Sequence, residues 1–401
     1  MRLLIAVQRF GPEVAGGAES LGRDVAHRLA ERGHEVSVAT TCARRYSDWA
    51  DEYPRGESRD GAIAVHRFPV EARRDPERFG RLNARLMGGD APIPLAVQRE
   101  WMRMQGPWTP AYESWMAEES PGFDAVVFIT YLYWTTWAGL RAVAGRVPTV
   151  LLPAAHDEPP LRLSIFDEVF RSADAFAFLT EEEEALVRGR FRARQAGLVT
   201  GAGVDLDVEV ADAAVAAFRR EHGLGDRPYL VSVGRLEPGK GVHELVDYFD
   251  EYKRRGGGVQ LVVMGDPVHD LAPREGVCFT GFVDEPTRRA AVQGALALVQ
   301  PSYFESFSLA LAEAWAQRRP ALVQRACAAL DGQARRSEGA IPYRGFAEFE
   351  AAIELLAENP RYAQLLAGRG RRYVVERYAW GAVLDRFEAV LEEARTARVT
   401  S

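Results

Sequence analysis

Short apolar runs alternate with helical patterns along the chain and predict a parallel α/β fold. The runs form two series, at residues 3–7, 36–40, 62–68, 125–129, 148–152 and 175–179, and then at 229–233, 260–264, 277–281, 296–300 and 320–324. After the first run, Ala18, Leu21, Val25 and Leu29 recur at helical steps, and Gly33 supplies a stop signal. Strands that are apolar on both faces and separated by helices are typical of parallel sheets covered by helices.

Two series of strands in 401 residues predict two doubly wound, Rossmann-like α/β domains facing each other across a cleft. The stretch TGAGVDLD (200–207), rich in small and turn-forming residues, separates the two series. We therefore place the domain boundary after residue 200.

Composition narrows the function classes. A formal net charge of −7 without a basic tail disfavours a nucleic-acid-binding protein. Cys42, Cys278 and Cys327 form neither a disulfide set nor a metal-spaced pair, which fits a reducing cytoplasm. The first apolar run stops before Gln8, too early for a signal peptide, and no uncharged stretch reaches the ~18 residues of a membrane span. These observations predict a cytoplasmic protein.

The stretch GRLEPGKG (234–241) follows a predicted strand and resembles a P-loop, but Gly241 stands where the magnesium-binding Ser or Thr is required. A Walker B partner at Asp266 is interrupted by Gly265. Only two of the 50 basic residues are lysines, and one of them, Lys240, lies in this turn near Arg235. Both cations follow the carboxyl end of a strand, where open α/β sheets bind ligands. The motif predicts a phosphate site, while a solvated turn with unrelated charges stays the alternative.

The stretch PSYFESFSLALAEAWAQ (301–317) predicts an apolar helix over 308–316 in which Glu313 is the only charged residue. Glu305 lies eight residues earlier, before the helix begins. Free N–H groups near Phe307, Ser308 and Leu309 can hold an anion. A buried carboxylate needs partners, so Glu313 either accepts hydrogen bonds from a ribose or pairs with a core arginine.

At these residues the chain resembles the retaining glycosyltransferases of the GT-B fold, family 4, which use nucleotide-activated sugars. The E-x7-E arrangement of Glu305 and Glu313 and the cations Arg235 and Lys240 carry the resemblance. GPEVAGGAESLGRDVAHRLAERGHEVSVATT (11–41) is similar to the family's glycine-rich loop and first helix, and ERYAWGAVLDRFEAVLEEA (376–394) to its closing helix. The resemblance implies an acceptor domain of residues 1–200 with a returning helix at about 380–401, and a donor domain of residues 201–379.

The resemblance also implies roles for single residues. Arg235 and Lys240 would hold the donor diphosphate, Glu305 would bind the transferred sugar, and Glu313 would bind the ribose. His156 would lie beside the reacting sugar, although a lone histidine is often structural. The other residues expected to contact the donor, with the two at 282 and 283 flanking the nucleobase, are Gly16, Gly17, Gly234, Phe282, Val283, Phe307, Ser308 and Leu309.

Some positions depart from the family pattern. Ser306, Ser308 and Arg318 stand where glycines are usual in the family. These differences affect how the transferred sugar would be recognised. The chemistry implied by the resemblance is front-face transfer, in which the departing phosphate helps to deprotonate the acceptor. The resemblance implies a UDP- or GDP-sugar substrate. No DxD-type metal site is apparent in the places that match the family, so we expect no metal and no cofactor.

The acceptor is poorly specified by the sequence. Tyr131, Tyr133 and Trp134 follow a predicted strand and are acceptor candidates, because aromatic faces stack on sugars. Trp101, Trp108 and Trp115 recur every seven residues, a spacing for which helix packing is the default interpretation. A glycan, a lipid-linked molecule or a small molecule fits as the acceptor. Residues 71–105 carry seven arginines against five acidic residues, too small a surplus to predict peripheral membrane contact.

Two other function classes stay open from the sequence. One is a nucleotide-sugar epimerase or phosphorylase on the same architecture, although a pyridoxal-dependent phosphorylase would need a lysine and only Lys253 is left beside Lys240. The other is a P-loop ATPase or nucleotide-sensing switch, which Gly241 disfavours.

Overall fold

A computed structural model describes residues 1–14, 16–88, 92–207, 209–236, 238–265 and 272–399. The chain divides into two compact units. The first unit comprises Met1–Gly201 and Val383–Ser401, and the second comprises Ala202–Ala382. The acceptor and donor roles assigned to the two halves stay predictions.

The first unit is built on a sheet of eight strands. These strands, β1 to β8, are Arg2–Ala6, Glu35–Thr41, Gly56–Asp60, Ile63–Phe68, Ala125–Ile129, Thr149–Leu152, Ala175–Phe178 and Ala196–Val199. The helices α1 to α7 are Gly17–Glu31, Pro76–Met87, Leu95–Gln105, Pro110–Glu119, Trp134–Val143, Phe166–Ser172 and Glu181–Phe191. The strand order is β3-β4-β2-β1-β5-β6-β7-β8, and all neighbours are parallel except β3 and β4.

The second unit is built on a six-stranded parallel sheet. Its strands β9 to β14 are Tyr229–Val233, Gln260–Met264, Val277–Gly281, Ala297–Gln300, Ala321–Gln324 and Ala340–Tyr343. The helices α8 to α14 are Asp212–Glu221, Val242–Arg254, Glu285–Gly294, Leu309–Ala316, Ala328–Ser337, Phe346–Glu358 and Pro360–Tyr378. The strand order is β11-β10-β9-β12-β13-β14. The last helix, α15 (Trp380–Val399), begins at the end of this unit and continues in the first.

The two predicted parallel α/β sheets are confirmed, and each predicted apolar run forms a strand within a residue or two of its expected bounds. Three strands, β3, β8 and β14, were not predicted. Among the parallel strands, the chain order reverses beside β1 in the first unit and beside β9 in the second. Such switch points at the carboxyl edge are where doubly wound sheets bind ligands.

The tryptophans at seven-residue spacing do not share one helix. Helix α3 ends at Gln105 and α4 begins at Pro110, so Trp108 lies between the helices that carry Trp101 and Trp115. Trp101 is buried and donates its Nε1 hydrogen to Asn83 Oδ1 at 3.0 Å. The predicted packing role is correct for Trp101, but the helical spacing from which it was inferred does not occur.

Within the first unit, the C-terminal part of α15 packs through ionic contacts. Arg32 pairs with Asp385 at 2.7 Å and with Glu388 at 2.8 Å, and Arg386 donates to the carbonyl oxygen of Thr200 at 2.7 Å. Across the described residues, no helix combines the length and the apolar character that a membrane crossing requires.

Candidate active site

In the second unit, the loops that follow β9 and β12 lie together, because these two strands are neighbours in the sheet. The loop after β9 begins at Gly234, has a short 3-10 turn at Pro238–Lys240, and ends at Gly241. Glu237 in this loop lies outside the described residues. The loop after β12 carries Glu305 and leads into α11. Parallel strand order thus brings two motifs that are 65 residues apart in sequence to one edge.

Lys240 and Glu305 form an ion pair at this edge. The distance from Lys240 Nζ to Glu305 Oε1 is 2.7 Å, and the two side chains are 25% and 12% exposed. Gln300, at the end of β12, donates its Nε2 hydrogen to the same carboxylate oxygen at 2.9 Å. Charge-assisted hydrogen bonds of this length are stronger than neutral ones, so the carboxylate is held in a defined position.

Gly241 is required by the backbone. It caps α9 with a φ of +68°, and a Cβ at this position would overlap the carbonyl oxygen of Pro301. A serine or threonine, which a P-loop needs here for magnesium, would therefore meet both strain and a steric clash. Asp266, the other element of the P-loop alternative, lies outside the described residues. The local geometry is incompatible with a P-loop at Gly234–Gly241.

The N-terminus of α11 has an unusual cap. Ser308 adopts a φ of +75°, and its Oγ accepts a hydrogen bond from the Leu311 amide at 3.4 Å. The ring of Phe307 is buried and packs edge-on against Tyr378 at a centroid distance of 4.8 Å. Gln333 donates to the Phe307 carbonyl oxygen. Leu309 is the first residue of α11, so the first helical turn lies at the predicted position. That this turn binds an anion stays a prediction.

Glu313 pairs with Arg288 in this structure. Both terminal nitrogens of Arg288, on α10, donate to the Glu313 carboxylate, and the Nη2–Oε1 distance is 3.1 Å. The Glu313 side chain is 31% exposed. The arginine alternative derived from the sequence is thus present in the structure, and the ribose contact stays a prediction. Sequence reasoning missed Arg288, for which the only signal is the pair of arginines in EPTRRAA (285–291).

The predicted nucleobase residues lie just before α10. Phe282 is 71% exposed, the highest value among the large hydrophobic side chains that are exposed, and Val283 is half-buried. Asp284 caps α10 by accepting a hydrogen bond from the Thr287 amide at 2.9 Å. An aromatic ring this exposed is available for stacking. Arg235 is exposed as well, in the loop that carries Lys240.

In the first unit, the glycine-rich loop after β1 encloses a buried ion pair. Gly16 caps α1, and a Cβ there would overlap the Glu19 carboxylate. Glu19 Oε1 accepts hydrogen bonds from Gln8 Nε2 at 2.8 Å and from Arg9 Nε at 2.9 Å. Gly17 opens the helix. Sequence reasoning identified the glycines but missed Arg9 and Glu19. Their signal is a cation three residues after a buried strand and an acid in the first turn of the next helix.

His156 lies in the loop after β6, next to a partly buried hydrogen-bond network. The Tyr131 hydroxyl donates to Glu158 Oε1 at 2.7 Å, and the same oxygen lies 3.7 Å from His156 Nε2. The Glu158 amide donates to the His156 carbonyl oxygen at 2.7 Å. Ala154 has a φ of +48°, which L-residues rarely adopt outside constrained sites. The loop is therefore held in one conformation around the histidine.

The predicted acceptor aromatics require correction. Tyr131 is fully buried, with Phe166 and Phe170 at centroid distances of 4.8 and 5.7 Å, so it offers no face for stacking on an acceptor. Burial also raises the pKa of the Tyr131 hydroxyl well above its ordinary value. Trp134 is buried at the start of α5. Tyr133 is half-buried and stays an acceptor candidate. Aromatic residues that follow a strand can pack into the helical layer, and these side chains are then not available to contact an acceptor.

The sequence matches two families that together cover most of the chain. Residues 16–203 match the glycosyl transferase 4-like domain, and residues 215–373 match the glycosyl transferases of group 1. The chain belongs to the group 1 glycosyltransferases, family 4. This glycosyltransferase is 28% identical over 408 residues to a GDP-mannose-dependent alpha-mannosyltransferase of Mycolicibacterium smegmatis, with 98% of each chain covered.

Solved structures agree with the fold. The glycosyltransferase matches a sucrose-phosphate synthase from Thermosynechococcus elongatus with a TM-score of 0.73 and 19% identity, over 98% of this chain and 99% of the other. It matches the Anabaena protein HepE, solved in complex with UDP-glucose, with a TM-score of 0.71 and 16% identity, over 99% of this chain and 100% of the other. The family and the GT-B fold predicted from the sequence are confirmed.

Proposed function

We propose that the glycosyltransferase moves a sugar from a UDP- or GDP-sugar to a hydroxyl group of its acceptor, with retention of the anomeric configuration. The observation that carries the proposal is the Lys240–Glu305 pair at the carboxyl edge of β9 and β12. A cation beside a carboxylate at a sheet switch point offers one group for phosphate and one for sugar hydroxyls. The adjacent turn of α11 adds free backbone N–H groups suited to an anion.

The reaction breaks the bond between the sugar C1 and the phosphate oxygen and forms a bond between C1 and the acceptor oxygen. The acceptor proton ends on the departing phosphate. Negative charge grows on the leaving diphosphate, and Lys240 and Arg235 would stabilise it electrostatically. Because two fixed cations can supply this charge, we propose that transfer proceeds without a metal ion or other cofactor.

Glu305 and His156 would act on the transferred sugar. Glu305 pairs with Lys240 in this structure, so donor binding would exchange partners: the ammonium group would turn to phosphate, and the carboxylate would accept hydrogen bonds from sugar hydroxyls. Glu313 would accept the ribose hydroxyls with the oxygen lone pairs that Arg288 leaves available. Phe282 would stack on the nucleobase.

The relatives do not distinguish between a UDP-sugar and a GDP-sugar as the donor, and they do not specify the acceptor. One relative is named as GDP-mannose-dependent, and one matching structure was solved with UDP-glucose. We propose a glycan, lipid-linked or small-molecule hydroxyl as the acceptor. The free cysteines Cys42, Cys278 and Cys327 are consistent with a cytoplasmic enzyme.

Binding of free diphosphates tests this proposal. Thermal unfolding is followed with UDP, GDP and ATP, each in EDTA and in magnesium, since a ligand that binds only the folded state raises the unfolding temperature. We expect UDP or GDP to stabilise the protein equally with and without the metal. Stabilisation by ATP alone, and only with magnesium, would overturn the proposal. The configuration of the product, read by proton NMR from the anomeric coupling, tests retention: an inverted product contradicts it.

A further inference from the structure

The carboxyl group of Glu183 joins the chain segments that follow two neighbouring strands. Its Oε1 accepts a hydrogen bond from the Ala155 amide, and its Oε2 accepts one from the Leu179 amide, both at 2.5 Å. Ala155 follows β6, and Leu179 follows β7, which pairs with β6 in the sheet. Glu183 is 2% exposed, so both bonds are shielded from water. One side chain thus satisfies two buried backbone donors at the carboxyl edge.

Glu183 departs from the usual arrangement at a helix N-terminus. Thr180 caps α7, and its Oγ1 accepts a hydrogen bond from the Glu183 amide at 3.2 Å. In an ordinary capping box the glutamate three residues later would return to the amide of the cap residue. Here the carboxyl group reaches past Thr180 to Leu179 and, across the sheet, to Ala155. The bond to Ala155 is therefore additional to what the helix itself requires.

The bond to Ala155 holds a constrained segment. Ala155 lies between Ala154, with its φ of +48°, and His156. Tyr131 holds the two ends of the segment: its amide donates to the Pro153 carbonyl oxygen at 2.9 Å, and its hydroxyl donates to Glu158 Oε1 at 2.7 Å. Glu183 fixes the middle of the segment, immediately before the histidine.

We propose that Glu183 is a positioning residue for the glycosyl transfer, because it sets the backbone of Pro153–Glu158 and thereby the place of the His156 ring. The proposal rests on the function proposed above, in which His156 lies beside the reacting sugar. It assigns to one member of the acidic run Glu181–Glu184 a role that its neighbours on α7 do not share. Misplacing a catalytic group by about 1 Å can lower a rate by ~100-fold.

The test compares Glu183→Gln with two variants of the same helix end. Glutamine keeps the shape but presents an NH2 group to one of the two N–H donors, so one bond is lost and replaced by repulsion. Thr180→Ala removes the cap of α7 but leaves the carboxyl group in place. Glu182→Gln removes a neighbouring charge. The readouts are kcat, KM for the donor, UDP or GDP affinity, and hydrogen exchange of the peptide that covers residues 153–158.

We expect Glu183→Gln to lower kcat by at least about tenfold. Donor KM and diphosphate affinity should stay within about twofold, because Arg235 and Lys240, the predicted diphosphate-binding cations, belong to the unit that does not contain Glu183. Exchange of the 153–158 peptide should quicken, while Thr180→Ala and Glu182→Gln change neither kcat nor this exchange. Equal losses of kcat in Thr180→Ala and Glu183→Gln, or an unchanged exchange pattern in Glu183→Gln, would overturn the proposal.

The wild-type protein supplies a measurement that needs no variant and no activity. The amides of Ala155 and Leu179 should exchange slowly in the wild type, because each donates to a buried oxygen. Rapid exchange of the Ala155 amide would overturn the proposal even if Glu183→Gln fails to fold. If the wild type transfers no sugar from any nucleotide donor, the proposed function fails. In that case, hydrogen exchange of the Ala155 amide and of the 153–158 peptide still tests whether Glu183 positions this segment.

Discussion

The ammonium group of Lys240 lies 2.7 Å from Glu305 Oε1, so each of the two residues offsets the charge of the other. The pair joins the motif after β9 to the motif after β12. A diphosphate that takes the ammonium group must compete with an existing ion pair, and the released carboxylate becomes available to sugar hydroxyls. Substitutions at these two residues therefore test the proposed donor site.

Lys240→Ala should weaken diphosphate binding and lower transfer by ~100-fold or more, the scale of losing one preorganised charge. The matched control is Lys253→Ala, which removes the chain's other lysine. Lys253 lies in the last turn of α9 and donates to the Gly257 carbonyl oxygen at 2.6 Å, away from β12. Steady-state kinetics and calorimetry with UDP and GDP measure both variants. Activity of Lys240→Ala within about threefold of wild type would contradict the phosphate role.

Glu305→Gln and Glu313→Gln should separate sugar recognition from nucleotide recognition. Glu313→Gln should weaken donor and free diphosphate alike, by about 1.5–3 kcal/mol, the range for hydrogen bonds to charged groups. Glu305→Gln should lower transfer but leave diphosphate affinity at least as high as in wild type, because Lys240 loses its competing partner. Calorimetry with the free diphosphate and turnover of the donor measure the two effects.

Arg288→Gln is the control for this comparison, since Glu313→Gln also breaks the pair with Arg288. If the ribose contact is what matters, Arg288→Gln should weaken diphosphate binding less than Glu313→Gln does. Equal losses would mean that the ion pair, and not a ribose contact, maintains the site. A loss of diphosphate affinity in Glu305→Gln as large as in Glu313→Gln would contradict the division of roles.

The parallel-sheet rule explains why the sequence could predict that the residues of the candidate donor site share one edge of the sheet. Apolar runs located β9 and β12, and the residues that follow them had to meet at one edge of the sheet if the strands were neighbours. The meeting of Lys240 and Glu305 follows from that rule. The strands that escaped prediction lacked the apolar pattern: β3 reads GESRD and lies at the sheet edge, where it pairs only with β4 among the described strands.

Contacts between distant helices were not predictable in the same way. Arg288 and Glu313 lie on α10 and α11, and no periodicity in the sequence specifies which arginine meets the glutamate. Glu183 reads as one of four consecutive acidic residues, yet it alone is buried, because its partner amide belongs to a segment that precedes β7. The sequence predicts Tyr131 as an acceptor contact, but its side chain is buried in the core of the first unit. Burial depends on packing of the helical layer, which a single strand-end motif does not reveal.

Ser308→Gly should stabilise the protein. Ser308 has a φ of +75°, a conformation that costs a residue with a Cβ of order 1–3 kcal/mol. Glycine removes this strain, loses only a few tenths of a kcal/mol as a cap, and adds about 0.5–1 kcal/mol of chain entropy to the unfolded state. We expect the free energy of unfolding in urea to rise by about 1 kcal/mol. Ser306→Gly, where φ is not positive, should instead lower it; equal losses in both variants would argue against strain at Ser308.

The stability of the glycosyltransferase should depend on pH through Glu183. Burial raises the pKa of Glu183 from its ordinary value of 4.5 to about 8, against the lowering effect of the Leu179 and Ala155 amides. Below pH 4.5 the carboxyl group is protonated in the folded and unfolded chains alike, and its contribution to stability is fully present. As the pH rises towards 8, the unfolded chain releases the proton while the folded chain keeps it, so this contribution is lost.

The expected loss is about 1.4 kcal/mol per pH unit across that window. Because Glu183→Gln has no titrating group at this position, the difference in unfolding free energy between wild type and variant isolates the effect. Urea unfolding at a series of pH values from 5 to 9 measures it. We expect the wild type to lose stability relative to Glu183→Gln as the pH rises. A relative gain with rising pH would mean that the two amide bonds hold the carboxyl group ionised and outweigh burial.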